Sequence, residues 1–173
     1  MPATYEPIAT TTLGSAAASI TFSSIPGTYT DLSLVFVSRM NAGGGTISNV
    51  LIRFNNLSTS IYSTTRLGGD GASAFSSRLT TQTSLALLAG SAGSATSSGR
   101  FNFSKTDIFS YAGSTFKTGL SEISADNNGS GYVVRQVLLA QTTAAINRID
   151  LLDANGNDFA SDTTATLYGI LKA

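Results

Sequence analysis

Apolar and polar residues alternate with a period of two through much of this chain. That spacing puts one face of a β-strand into a core and the other into solvent. The pattern is clean in Ala18-Ser19-Ile20-Thr21-Phe22 and in Arg100-Phe101-Asn102-Phe103-Ser104. In Asn49-Val50-Leu51-Ile52-Arg53-Phe54 it sets Val50, Ile52 and Phe54 on one face. Asp31 to Val37 begins by alternating and then turns apolar on both faces, and Gly131 to Ala140 alternates in two registers. Shorter strands are expected at 5–12, 59–67, 78–88, 115–124, 146–152 and 163–171. No helical period competes. Glu appears twice, Lys three times and Gln three times, against 25 Ser, 23 Thr, 17 Gly and 10 Asn, and those four types disfavour helix interiors.

The punctuation fits the strands. Ile25-Pro26-Gly27-Thr28 reads as a type II turn, with Pro fixing φ and Gly supplying φ > 0. Asn55-Asn56, Asp70-Gly71, Asn128-Gly129 and Asn155-Gly156 are further turn signals. About ten strands with no intervening helix predict an all-β fold: a single-domain antiparallel β-sandwich, jelly-roll-like. Residues 1–12 read as an extended N-terminal segment or first strand, and residues 13–173 as the sandwich domain. The expected inward-facing set is Ile20, Phe22, Leu34, Phe36, Ile52, Phe54, Phe101, Phe103, Val134, Leu138, Ile149, Leu151, Leu167 and Gly169. The strands at 32–37 and 133–139 should be central, with the second face covered by a loop or a neighbouring subunit.

Composition removes many chemistries. The chain has no Cys, His or Trp, which excludes thiolate and imidazole nucleophiles or bases, a Ser-His-Asp triad, and Cys- or His-ligated metals. Ten cationic and ten acidic side chains cancel, and the seven Arg residues are dispersed (Arg39, Arg53, Arg66, Arg78, Arg100, Arg135, Arg148), so no nucleic-acid stripe is expected. No apolar run reaches the ~18 residues of a membrane helix. Met1 to Pro7 has neither a basic nor an apolar leader region, and synthesis in a cytosol is expected.

The remaining candidates each have a plainer reading. Asp150, Asp153, Asp158 and Asp162 could pair as glycosidase-type acids, but Asp is also a turn and cap residue. Asp153 to Asp158 resembles half a calcium loop, yet its sixth position is Asp158 rather than Gly and its twelfth is Thr164 rather than Glu. Gly43-Gly44-Gly45 and Gly68-Gly69-Asp70-Gly71 lack the helix and Lys of a phosphate cradle and read as hairpin tips. Asn56, Asn102 and Asn128 stand in glycosylation-type triplets by chance in an Asn/Ser-rich chain. No catalytic, cofactor-binding or metal-binding residue is assigned, and the chain is read as no enzyme.

Several segments carry a resemblance. They are Thr4 to Ala9, Ala18 to Leu32, Ile52 to Asn56, Tyr62 to Gly71 and Ala165 to Ile170. Together they resemble small virion structural proteins of tailed bacteriophages, over the first seventy residues and the last ten or so. The resemblance implies a virion component made in the host cytoplasm, of the capsid cement or decoration type, and it implies no catalytic residues. The expected partner is the major capsid protein of a phage head, with the chain as a homotrimer on the capsid surface. Docking is expected through an apolar patch and through strand pairing by Pro2 to Thr12. The alternative is a receptor- or carbohydrate-binding module of a tail fibre or spike, using the 153–158 loop and the 68–75 loop with Phe75.

Overall fold

The computed structural model describes residues 4–171. They form twelve strands and no helix: β1 (Tyr5–Thr12), β2 (Ser19–Phe22), β3 (Asp31–Ser38), β4 (Ile47–Phe54), β5 (Tyr62–Gly69), β6 (Ala74–Gln82), β7 (Leu85–Ala92), β8 (Asn102–Phe109), β9 (Lys117–Asp126), β10 (Gly131–Ala140), β11 (Ile149–Asp153) and β12 (Thr164–Ile170). Eight make one sheet in the order β1-β12-β3-β8-β9-β10-β5-β6, and four make a second in the order β2-β11-β4-β7. All named strand pairs are antiparallel. The chain crosses between the sheets repeatedly, as in a jelly roll, and a β-sandwich results.

The core lies between the sheets. Leu32, Leu34, Phe36, Ile108, Ile123, Val134, Leu138 and Leu167 come from the large sheet. Ile20, Phe22, Val50, Ile52, Phe54, Leu85, Leu87, Ile149 and Leu151 come from the small one. Phe36 meets Phe159 edge to face at 5.3 Å.

Three expectations need correction. The stretch 78–88 is two strands, β6 and β7, broken at Thr83-Ser84 where the chain leaves the large sheet for the small one. This raises the count to twelve. Second, β8 turns its aromatic face outward. Asn102, Ser104, Thr106 and Ile108 are buried, Phe101 is half-buried and Phe103 is 40% exposed. Two of the inward polar groups are accommodated by pairing: Asn102 Nδ2 donates to Ala89 O at 2.9 Å, and the Thr106 and Ser121 hydroxyls bond at 2.7 Å, while the small Ser104 hydroxyl is buried without a partner. Third, Gly27 does not adopt positive φ, so the 25–28 turn is not type II. The loop is held instead by Tyr111, whose hydroxyl donates to Pro26 O and accepts from Tyr29 N–H.

Other turns follow their residues. Asn128-Gly129, both at positive φ, closes the β9–β10 hairpin through Asn127 and Ser130. Asn55-Asn56, also at positive φ, makes a type I′ turn, with Leu57 N–H bonded to Phe54 O at 2.9 Å. Asp70 Oδ1 accepts from Ala72 N–H and Ser73 N–H to cap the β5–β6 hairpin.

Candidate functional site

The outer face of the large sheet mixes exposed apolar side chains with charged and hydroxyl ones across several strands. The register aligns Val37, Phe103, Ser124 and Val133 in one cross-strand row. It aligns Asp107, Leu120, Val137 and Thr65 in another. Between these rows runs Val35, Lys105, Glu122, Arg135 and Leu67. Val133, Leu67 and Val137 are 69%, 65% and 55% exposed, so the chain's own loops do not cover this face. An exposed apolar surface crossing several strands is characteristic of an interaction site. Its charges balance: Lys105 pairs with Asp107 at 2.9 Å, and Arg135 pairs across the strands with Glu122.

The N-terminal stretch is a strand of the sandwich rather than a free arm. From Tyr5 to Thr12, β1 pairs with β12, while Pro2 and Ala3 lie outside the described residues. Its other edge carries no strand among the described residues, and Pro7 belongs to such an edge because it has no N–H to donate.

The carboxylates singled out by sequence are engaged separately. The Asp153 carboxylate is buried and filled by donors: the Ser48 hydroxyl, Asn155 N–H at 3.1 Å, Asn157 N–H at 3.0 Å and Asn157 Nδ2 at 2.8 Å. The calcium-like segment is therefore an Asx-bonded turn, and among the described residues no three acidic side chains converge. Asp150 is buried on the small sheet, where Arg148 and the Thr21 hydroxyl bond it at 2.7 Å each. Asp162 is an exposed turn residue at positive φ, and Asp158 lends its backbone carbonyl to Asn41 N–H.

Burial opposes the charge on Asp150, but hydrogen bonds from Arg148 and Thr21 and the charges of Arg148 and Arg53 outweigh it, so the carboxyl titrates below its ordinary value. A carboxyl depressed in the folded state contributes stability that is full above its unfolded value of about 4. That stability is lost as pH falls through the folded value. No His is present to titrate near neutrality. The urea midpoint should therefore be flat from about pH 5 to 8 and fall below about pH 4, with a shallower fall in Asp150→Asn. A midpoint that moves within the neutral window would contradict this assignment.

The Arg residues are dispersed, with individual roles. Arg39 reaches across to the loop after β7, donating to Gly93 O, Thr96 Oγ1, Ser97 O, Ser94 O and Thr96 O at 2.6–3.2 Å. Arg66 bonds Ser77, and Arg148 bonds Asp150. Of the glycosylation-type asparagines, Asn102 is buried and bonded to backbone. The 68–75 segment is also not one loop: Gly68 and Gly69 end β5, and Phe75 lies within β6, its ring packed edge to face on Tyr132 at 6.3 Å. Sequence reasoning missed the partner of this hairpin. Asp70 and Tyr132 share a cleft with Arg100, at least thirty positions from each, and only the fold brings them together.

No family model matches the chain, and no curated protein matches it. Among solved structures, an alginate lyase from Chlorella virus aligns with a TM-score of 0.32 and 12% identity, over 95% of this chain and 83% of that one. Scytalido-glutamic peptidase, solved with a peptide-based transition-state analogue, aligns with a TM-score of 0.26 and 9% identity, over 91% and 63%. Likenesses this distant carry no argument about chemistry.

Proposed function

We propose that this chain is a non-enzymatic structural protein of a phage virion, a cement protein that clamps major capsid subunits from the head surface. The observation that carries the proposal is the uncovered outer face of the large sheet, with Leu67, Phe103, Val133 and Val137 exposed on it. A rigid apolar face on a sandwich is suited to permanent contact with a neighbour. The balanced charges of Lys105, Asp107, Glu122 and Arg135 are compatible with copies of the same chain meeting there. In this reading the face is buried in a trimer, and the open edge of β1 lies against the capsid as an added strand.

The test uses purified particles and the full chain. Wild-type protein is expected to sediment as a trimer at micromolar concentration and to coat heads in hundreds of copies. Val133→Asp with Val137→Asp should keep the β-rich circular dichroism spectrum, yield monomers and weaken decoration by roughly a hundredfold or more, since two buried apolar contacts are lost and two charges gained. Thr10→Pro should leave the trimer intact and remove decoration. Undiminished decoration by both variants, or a few copies confined to the tail, would overturn the proposal.

A further inference from the structure

Two hairpin tips and two chain segments meet at one end of the sandwich. The tips are β5–β6, with Asp70, and β9–β10, with Asn127 and Ser130. Thr46 comes from just before β4, and Arg100 from just before β8. Between them lies a cleft of about 310 Å³, continuous through Asp70, Gly131 and Tyr132 with a second hollow of about 160 Å³. The larger volume falls at the lower end of small-molecule sites.

Arg100 gives the cleft its chemistry. Its Nε and Nη1 are buried and meet no acceptor, and Nη2 reaches only Asn102 Oδ1 at 3.5 Å. The ion pairs among the described residues are Lys105–Asp107, Arg135–Glu122 and Arg148–Asp150, so no carboxylate among the described residues pairs with Arg100. Burial lowers its pKa, the charge of Asp126 partly offsets this, and the like charge of Arg39 adds to the lowering. A guanidinium in this condition is an incomplete interaction, and because Nε and Nη1 are closed to solvent, Nη2 is the nitrogen through which a carboxylate in the cleft would meet it.

The surrounding groups select for more than an anion. Asp70 Oδ1 is occupied by its own turn, accepting from Ala72 and Ser73. Among the described residues no side-chain hydrogen bond engages the Tyr132 phenol, the Asn127 amide or the Thr46 hydroxyl. These three line the cleft and suit a ligand rich in hydroxyls. The Tyr132 ring is braced by Phe75, and Phe75 has room because a Cβ on Gly68 would strike its ring. A braced aromatic ring offers a fixed apolar platform beside polar groups.

We propose that this cleft binds an acidic sugar, with Arg100 pairing its carboxylate, Asn127 and Thr46 bonding its hydroxyls and Tyr132 bearing on its ring. The site does not depend on the cement role.

Full-length protein should be titrated with D-glucuronate, D-glucose and inorganic phosphate, followed by amide chemical shifts in NMR. Glucuronate is expected to shift residues of the 70–73 and 127–131 tips and to bind with a Kd of about 1 mM, a plausible strength for one sugar in an open site. Glucose, which differs in lacking the carboxylate, should bind at least tenfold more weakly, and phosphate should not displace glucuronate at equal concentration. Arg100→Gln and Tyr132→Leu should each weaken glucuronate at least tenfold, while Arg66→Gln, at a guanidinium outside the cleft, should not. Equal binding of glucose and glucuronate overturns the role of Arg100. Displacement by phosphate reduces the site to a simple anion contact and overturns the sugar. Glucuronate binding unchanged in Arg100→Gln, or no shifts at the two tips, overturns the site altogether. If Arg100→Gln fails to fold, Tyr132→Leu and the matched sugars still decide the matter.

Discussion

Phe36→Ala should lower the unfolding free energy by about 3–5 kcal/mol, the range for deleting a fully buried aromatic ring. Phe36 stands at the centre of β3 with 1% of its surface exposed. Its ring meets Phe159 at 5.3 Å and nearly a right angle. Phe159 is itself tied to Ala17 by two backbone hydrogen bonds, so the pair pins the connection between β11 and β12 to the core. Truncation removes the transfer energy of the ring and leaves a cavity that neighbouring strands, fixed on both sides, can close only in part. Phe103→Ala supplies the contrast. Its ring lies on the outer face, and its removal should cost less than about 1 kcal/mol in the isolated chain. Chemical denaturation of both variants checks the assignment, and equal losses would show that β8 is turned the other way.

Asp153→Ala should cost about 3 kcal/mol, through a different mechanism. The side chain is small and leaves little cavity. Its carboxylate accepts from Ser48, from the backbone of Asn155 and Asn157 and from the Asn157 amide, and truncation leaves these donors without their partner. A buried donor left unsatisfied costs about 1–3 kcal/mol, and partial access of water to this turn limits the sum. Asp153→Asn should be nearly as harmful, because its new N–H groups would face existing ones. Millimolar calcium should leave the melting temperature of the wild-type protein unchanged. A rise of several degrees on adding calcium would show that the 153–158 turn is a cation site, and a loss below about 1 kcal/mol in Asp153→Ala would show that its hydrogen bonds do not hold the turn.

The strands were legible because alternation is a direct consequence of strand geometry, and Ile20 with Phe22, or Ile52 with Phe54, have no other economical arrangement. Turn residues marked most of the ends, as at Asn128-Gly129. The inward face of β8 was not legible. Hydrophobic alternation chose Phe101 and Phe103, whereas the core at that level is built from Asn102, Ser104 and Thr106, two of them made tolerable by cross-strand or inter-sheet hydrogen bonds. Such partners come from β7 and β9, which no local pattern announces. The break between β6 and β7 was hidden because Leu79 to Leu88 carries no Gly or Pro, and the hop between sheets is made by a Thr-Ser pair. The acid cluster was visible in sequence, but its meaning was set by donors from Ser48, Thr21 and Arg148.

The placement of the final strand has a bearing on when this protein can finish folding. In the large sheet β12 lies between β1 and β3, so β1 has no strand to pair with until β12 has been made. Tyr5 must wait for Ile170. Closing so long a loop is entropically slow, and assembly of that arm waits until the chain has been made through Ile170. A prematurely terminated chain that lacks β12 leaves β1 without its partner and β3 with an open edge. The topology thus makes the β1 arm of the sheet conditional on synthesis of the chain through Ile170.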